Sequence, residues 1–167
     1  MLHCLKREQL IAAPMDEVWH FFSRPENLKL ITPPYMGFDI LSETPPVMEV
    51  GIIIKYKVRP LFGIPFRWVT EITHLKGPQD GEEPYFFVDE QRFGPYAFWH
   101  HHHEFYTTSR GILMKDIVHY RLPFEPIGGI FHAILIRPRL EEIFDFRQKK
   151  IDELFNNKVL LGKSALN

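Results

Sequence analysis

Hydrophobic residues change their spacing along the chain, and the change separates a first strand from helical segments. Residues 2–11 have the pattern of a strand. After them Val18 and Phe22 lie on one apolar stripe at helical spacing, and Pro14 suits the first turn of a helix. Pro25 disfavours helical geometry in the residue before it. The sequence therefore predicts two short helices after the first strand.

Six strand-length hydrophobic segments follow between residues 37 and 123, and residues that favour turns separate them. The connections include "KGPQDGEEP", "GP" and "SRG", which are typical of hairpins. Hairpins join neighbouring strands in antiparallel order. Together with the first strand, these segments predict a seven-stranded antiparallel sheet.

A long closing helix is predicted from the last periodic segment, which extends to Asn157. Pro138 removes one helical hydrogen bond and clashes with the preceding turn, so we expect a kink there or a helix that begins near it. The apolar residues at helical spacing are Leu140, Ile143, Phe144, Ile151, Leu154 and Phe155.

The predicted elements leave room for a ligand. One helix shields only part of a seven-stranded sheet. A strongly curved sheet wrapped around the closing helix would enclose a space lined by both, and such a space is where a ligand would bind. The fold class predicted from the pattern is therefore α+β.

The composition restricts the class of protein. The chain has 167 residues, of which 45% are hydrophobic and 25% charged, so it is long enough for one buried core and too apolar for disorder. We assign residues 1–157 to a single domain and residues 158–167 to a tail. The net charge of -1 gives no reason to expect nucleic acid as a partner.

The N-terminal segment and the hydrophobic runs predict a cytoplasmic protein. Lys6, Arg7 and Glu8 lie where a secretory leader would be apolar, and the single Cys4 has no partner for an intrachain disulfide. No run approaches the ~18 apolar residues of a membrane helix. We therefore expect no insertion into a membrane.

Four consecutive histidines occupy residues 100–103, inside a predicted strand. Alternate side chains of a strand share a face, so the run divides into two pairs. His101 and His103 lie between aromatic residues of the same parity, whereas Glu104 shares the face of the other two. We expect His101 and His103 to face the closing helix, and His100 and His102 to lie at the rim or in solvent.

The neighbouring strands bring further polar residues toward the same face. Asp116 interrupts an otherwise apolar face of the last strand, and Asp89 and Gln91 share a parity on the strand before the histidines. Our hypothesis is one polar cluster in an apolar interior, formed by Asp89, Gln91, His101, His103 and Asp116.

The chain resembles the START/Bet v 1-like superfamily, also called SRPBCC or helix-grip, and in particular its polyketide cyclase/dehydrase-like branch of small bacterial proteins. The resemblance depends on the motif "FVDEQRFGPYAFWHHHHEF" and on the order of the elements. Tyr96 stands where the branch usually has phenylalanine. The matching residues are Phe87, Asp89, Gln91, Gly94, Pro95, Trp99, His101, His103, Phe105, Asp116, Val118, Tyr120, Gly128, Gly129 and residues 137–140.

The resemblance implies a curved sheet that wraps around a long C-terminal helix, with two short helices after the first strand. It also implies a cavity for a sterol-, lipid- or polyketide-like molecule, and some members of the superfamily catalyse cyclisation or dehydration in it. Such relatives do not generally require a metal. We therefore expect no metal and no cofactor.

Three explanations of the cluster remain open. A carboxylate beside an imidazole satisfies two buried polar groups, which would make the cluster a structural network. One or two of its groups could instead orient the polar end of an apolar ligand. The third explanation is chemistry, either proton transfer by a His/Asp pair or metal binding by two histidines and a carboxylate. Candidate catalytic residues are His101, His103, Asp116 and Asp89.

Aromatic residues on inward strand faces are candidates for the cavity wall, although they can equally be core. The segment "EPIGGIF" before the closing helix has the glycines of a mobile entrance loop or of a tight turn. The candidate ligand-binding residues are Tyr56, Trp68, Phe87, Asp89, Gln91, Trp99, His101, His103, Phe105, Met114, Asp116 and Tyr120.

Charged residues of the closing helix mix both signs, which predicts a solvated face rather than a site for an anionic partner. The basic residues are Arg137, Arg139, Arg147, Lys149 and Lys150.

The sequence thus favours a protein that binds a small, mostly apolar or amphipathic molecule. The alternative is a cyclase, dehydratase or isomerase in which His101 or His103 moves a proton. A third possibility is an interaction domain for a protein partner that the sequence does not identify. Phosphate-binding loops and nucleophile elbows are absent from the sequence, which disfavours phosphoryl transfer and serine hydrolysis.

Overall fold

Seven antiparallel strands form one sheet in the order β1-β7-β6-β5-β4-β3-β2. The computed structural model describes residues 1–60, 63–123 and 132–157. The sheet confirms the predicted fold class. The strands are β1 (His3–Ile11), β2 (Asp39–Ile40), β3 (Ile53–Val58), β4 (Phe66–Lys76), β5 (Tyr85–Phe93), β6 (Phe98–Thr108) and β7 (Gly111–Arg121).

Helix α1 (Met15–Phe22) follows β1, and a 3-10 helix (Pro25–Lys29) follows α1, as predicted. Pro14 precedes α1 in an extended conformation, and Asp16 and Glu17 lie in its first turn, where the helix dipole favours negative charge. Val18 and Phe22 are its buried residues. Two further 3-10 helices, Pro34–Met36 and Pro78–Asp80, were not predicted.

Helix α2 (Arg137–Ile151) is the predicted long closing helix. Pro138 lies in its first turn, so the regular α-helix begins near the proline as expected. One π-helical turn (His132–Ile136) precedes α2 and another (Asp152–Asn156) follows it.

The C-terminal segment is fixed to the edge strand β1 by hydrogen bonds. Gln9 Nε2 donates to the carbonyl of Gln148 over 2.8 Å and to the carboxylate of Asp152 over 2.9 Å. Asn156 accepts from the backbone N–H of Ala12. These bonds hold one end of the helix, while its apolar side packs across the sheet.

Two groups of buried side chains lie between α2 and the sheet. Leu140 and Phe144 pack with Trp68, Trp99 and neighbouring residues in the first group. The second group contains Ile11, Val18, Phe105 and Ile151 with their neighbours. The boundary between the groups falls where the polar cluster lies.

Gly111 begins β7 with φ of +124°, a conformation that residues with a side chain rarely adopt. A Cβ at this position would lie 2.2 Å from the carbonyl oxygen of Ile11. The close approach of β1 and β7 therefore requires glycine here.

Two regions for which the sequence made predictions, the tail at residues 158–167 and the entrance loop at residues 125–131, lie outside the described residues. Among the helices that the structure describes, none has both the length and the hydropathy needed to cross a bilayer.

Candidate functional site

Strand β6 lies between β5 and β7, and its register brings the predicted polar residues together. His101 is directly opposite Asp89 on β5, and His103 is directly opposite Asp116 on β7. His101 and His103 are 5% and 3% exposed, whereas His100 and His102 are half-buried on the other face. The histidine run therefore contributes one pair to the interior and one pair to the outside of the sheet.

The two inner imidazoles lie between two carboxylates. His101 Nε2 is 2.9 Å from Asp116 Oδ1, and His103 Nε2 is 2.9 Å from Asp89 Oδ2. His101 Nδ1 is 3.4 Å from that same oxygen of Asp89. His103 Nδ1 is 2.8 Å from Asp116 Oδ1, but its alignment does not make a hydrogen bond. Every ring nitrogen of the pair thus faces a carboxylate oxygen.

Aromatic rings enclose the imidazoles. The His103 ring stacks on Phe87 at a centroid distance of 4.2 Å, and the His101 ring meets Phe144 of α2 edge-on at 5.6 Å. Since apolar neighbours exclude water, the electrostatic contacts within the cluster are stronger than they would be at the surface.

Arg147 of α2 completes the cluster, and the prediction that this residue belongs to a solvated face is wrong. Its side chain is 10% exposed, and its Nη2 lies 3.7 Å from Asp116 Oδ1. The sequence contained a signal for this position, because Arg147 continues the helical spacing of Leu140 and Phe144 toward Ile151. Arginine buries its stem readily along an apolar face.

The surroundings of the two histidines shift their pKa values in opposite directions. Burial and the neighbouring His103 lower the pKa of His101 to about 4. Burial also acts to lower the pKa of His103, but the contacts with Asp116 and Asp89 outweigh it and leave that pKa raised. His103 is therefore the member of the pair that holds a proton more strongly.

Both carboxylates are held in the ionised form. Burial acts to raise the pKa of Asp116, but Arg147 and the hydrogen bond from His101 dominate and hold it well below its ordinary value. Burial likewise acts to raise the pKa of Asp89, and the two histidines reverse that effect. With His103 protonated, Asp89 and Asp116 balance His103 and Arg147 in charge.

A cavity of about 190 Å³ lies between the sheet and α2. Asp89, His101, His103 and Arg147 supply part of its wall, and the rest is mainly apolar. Of the predicted ligand-binding residues, the structure places these at the cavity: Tyr56, Trp68, Phe87, Asp89, Trp99, His101 and His103.

Four other predicted residues are buried away from the cavity wall. Phe105 and Met114 pack in the core beyond the histidines, and Tyr120 packs near the other end of β7. Asp116 contacts the imidazoles through the nitrogens that do not face Asp89, so it supports the histidines without lining the cavity.

Gln91 is the predicted member that the structure does not bring to the cluster. Its Nε2 donates to the carbonyl of Tyr96 over 2.6 Å, and its Oε1 accepts from the Tyr96 backbone N–H. The side chain thus spans the β5–β6 turn, where turn geometry rather than strand parity decides its direction.

The wall opposite the strands comes from residues that the sequence analysis did not select. Phe22 of α1 and Leu28 of the following 3-10 helix face the cavity, and Met36 and Phe38 precede β2. The apolar stripe of α1 was a signal for Phe22, but irregular segments carry no periodicity that would identify the others.

Apart from His103, two of the described residues that line the cavity have a buried nitrogen donor without an acceptor. These donors are Trp68 Nε1 and Arg147 Nε. In contrast, Tyr56 and Thr70 satisfy each other, with their hydroxyl oxygens 2.9 Å apart. The unpaired polar atoms of Trp68 and Arg147 are therefore donors, and Asp89 adds a carboxylate to the cavity wall.

No protein-family model and no curated protein matches the chain. Solved structures do resemble it. A START superfamily protein from Mycobacterium smegmatis is 13% identical with a TM-score of 0.63, over 91% of this chain and 99% of that one. The ginseng major latex-like protein 151 from Panax ginseng is 12% identical with a TM-score of 0.62, over 92% of this chain and 97% of that one.

A third similar structure is part of a larger protein. The nucleoside-diphosphate sugar epimerase from Corynebacterium glutamicum is 22% identical with a TM-score of 0.60. The match covers 97% of this chain but 31% of the epimerase chain. At such identities the likeness concerns the fold. With its seven-stranded sheet, long C-terminal helix and short helices after β1, the chain has the helix-grip fold of START and Bet v 1-like proteins.

Proposed function

We propose that the protein binds a small, mostly apolar molecule that carries at least one oxygen acceptor, in the cavity between the sheet and α2. The observation that carries the proposal is an apolar cavity with two unpaired buried donors, Trp68 Nε1 and Arg147 Nε, among the residues that the structure describes. A buried donor without an acceptor costs about 1–3 kcal/mol. A ligand carbonyl or carboxylate would recover that cost.

The volume favours a compact ligand. Sites for drug-sized molecules commonly measure about 300–1,000 Å³, whereas this cavity measures about 190 Å³. A short lipid-like acid or a small aromatic carbonyl compound fits this description better than a whole sterol.

The geometry of the histidines favours binding over acid–base catalysis by the imidazoles. A catalytic base must reach the proton it removes. Each ring nitrogen of His101 and His103 already lies within 3.4 Å of a carboxylate oxygen. In this arrangement the imidazoles fix the carboxylates, and the donors of Trp68 and Arg147 remain for recognition.

Native mass spectrometry of the purified protein, compared with a denatured sample and a solvent extract, identifies any organic molecule that co-purifies. A probe experiment then locates the site. Anilinonaphthalene sulfonate combines an apolar ring system with an anionic group, and its fluorescence rises in an apolar environment. We expect one probe molecule per folded chain.

The substitution Ile143→Trp tests the location, because Ile143 is half-buried on α2 and lines the cavity. Ile134→Trp is the matched control, since Ile134 is 73% exposed and precedes α2. Filling the cavity should weaken probe binding at least about tenfold, or about 1.4 kcal/mol, while the control binds as the wild type does. Equal binding by all three proteins would place the probe elsewhere and contradict the proposal.

A further inference from the structure

Three potential metal ligands converge on the cavity side of β5 and β6. Asp89, His101 and His103 each offer one ligand atom, and the three atoms lie within 4.8 Å of one another. We expected no metal from the sequence, because relatives of this fold do not generally require one and because the ligands would have to come from more than one strand. The register removes that obstacle, because it places Asp89 directly opposite His101, and His103 is on the same face two residues along β6.

The two separations from Asp89 match those of atoms that share one ion. Ligands about 2.1 Å from Zn²⁺ lie about 3.0 Å apart at a right angle and about 3.4 Å apart at the tetrahedral angle. Asp89 Oδ2 is 2.9 Å from His103 Nε2 and 3.4 Å from His101 Nδ1. From these distances we infer that Asp89, His101 and His103 form a binding site for a divalent transition-metal ion with the ligand preferences of Zn²⁺.

The surroundings of the three residues are those of a supported metal site. Metal-binding histidines usually donate their second N–H to a carboxylate, which fixes the tautomer and the ring direction. His101 Nε2 meets Asp116 in this way at 2.9 Å. Asp116 Oδ1 also lies 2.8 Å from His103 Nδ1. One carboxylate thus hydrogen-bonds to His101 and lies in close contact with His103, on the side remote from the proposed ion.

The remaining coordination positions of the proposed ion would face the cavity. Asp89, His101 and His103 line it, whereas Asp116 does not. Three protein ligands leave at least one position of a tetrahedral ion for another molecule. An ion here would therefore face the same space that we propose for the organic ligand.

The charges are compatible with a divalent ion. When both imidazoles are neutral, Asp89 and Asp116 balance its two positive charges. Arg147 lies 3.7 Å from Asp116 and adds a third positive charge, so the site as a whole carries one excess positive charge. That excess favours an anionic oxygen group at the open position, which agrees with the unpaired donors of the cavity.

Cobalt titration tests the site without any organic ligand, so its result is independent of the proposed function. The full-length protein is stripped with a chelator and titrated with Co²⁺, followed by Zn²⁺. We expect one Co²⁺ per chain with visible ligand-field bands of a four- or five-coordinate ion, displacement of these bands by Zn²⁺, and a higher unfolding temperature with either metal.

The outer histidines provide a matched control. His100 and His102 lie on the opposite face of the same strand and could bind Co²⁺ at the surface. The double variant His100→Gln, His102→Gln should keep the bands and the stoichiometry. His101→Gln should weaken binding at least about tenfold, the lower limit for losing even an outer partner of a metal ligand.

Two results would overturn the inference. One is the absence of ligand-field bands in the wild type, and the other is binding that disappears with the outer pair and survives His101→Gln. Circular dichroism establishes that each variant is folded. If His101→Gln does not fold, the double variant alone decides, since retained bands with full stoichiometry support the inner site and lost bands refute it.

Discussion

His101 and His103 lie with their ring centroids 3.7 Å apart, and yet their pKa values move in opposite directions. Two adjacent imidazolium ions in an apolar interior would repel each other strongly. The protein avoids that state by placing the proton of the pair on His103. The two histidines share one proton on β6, and their carboxylate partners lie on β5 and β7.

Removing the protonated member should destabilise the protein. His103→Phe removes the hydrogen bond to Asp89 and the close contact with Asp116 and leaves His101 as the shared partner of the two carboxylates. We therefore expect the free energy of unfolding to fall by roughly 1–3 kcal/mol. Urea denaturation monitored by tryptophan fluorescence measures it. His100→Phe is the control, since that residue is half-buried on the outer face of the same strand, and it should change stability by less than about 0.5 kcal/mol. Equal losses would show that the inner position has no special role.

Stability of the metal-free protein should be greatest near pH 6.5. The lowered pKa of His101, about 4 when folded, means that the unfolded chain binds this proton first, so stability falls as the pH drops from 6.5 toward 4. The pKa of His103 is raised, so its contribution is complete below 6.5 and is lost as the pH rises through the folded value. Asp89 and Asp116, with lowered pKa values, lose their contributions only below about pH 4.

Unfolding free energies from urea titrations between pH 4 and pH 9 test this profile. His101→Gln should make the acidic limb shallower, since His3 and His102, whose pKa values burial also lowers, still contribute to it. His103→Gln should flatten the alkaline limb. Arg147 and the two aspartates are present in both variants, so their charges do not distinguish the limbs. A wild-type profile that rises continuously across the range would be incompatible with the opposed shifts.

Arg147→Met should expose the cost of removing one of the two cations beside the buried carboxylate of Asp116. Removing one partner of a tight buried ion pair costs about 3–5 kcal/mol. The contact with Asp116 is 3.7 Å long, so we expect a loss of about 2–3 kcal/mol in the unfolding free energy. Arg137→Met is the matched control, because Arg137 is 64% exposed and pairs with Glu141. A surface pair of this kind is worth less than about 1 kcal/mol.

Gly111→Ala should destabilise the protein through a collision as well as through backbone strain. The new Cβ would lie 2.2 Å from the Ile11 carbonyl oxygen. Gly81→Ala separates the two effects, since Gly81 has a similar φ of +115° and a Cβ there would meet no described atom within 4 Å. We expect Gly111→Ala to cost at least about 1 kcal/mol more than the control in thermal or urea unfolding. Equal costs would assign the whole effect to φ.

Strand alternation was sufficient to predict the inward direction of His101, His103 and Asp116, because a strand has a fixed period of two. The pattern could not give the register between β5 and β6, on which the contact between Asp89 and the histidines depends. It also failed for Gln91, whose side chain follows the turn rather than the strand.

Whether an inward-facing side chain reaches the cavity was harder to predict than the face of the sheet on which it lies. Phe105 and Met114 face inward but lie beyond the cavity, since the end of the open space depends on where α2 and α1 cross the sheet. Arg147 was misassigned because its charge was given more weight than its spacing along the helix. A charged residue on the apolar stripe of a helix is a candidate for a buried pair.

Four consecutive histidines also bear on how β6 finds its correct pairing during folding. A displacement of one residue would turn His100 and His102 inward, so the imidazoles themselves barely distinguish the two registers. The same displacement would carry Glu104 into the apolar interior near Phe87 and would turn Trp99 and Phe105 out to water. Glu104, on the outer face of the native sheet, thus protects the strand against mispairing.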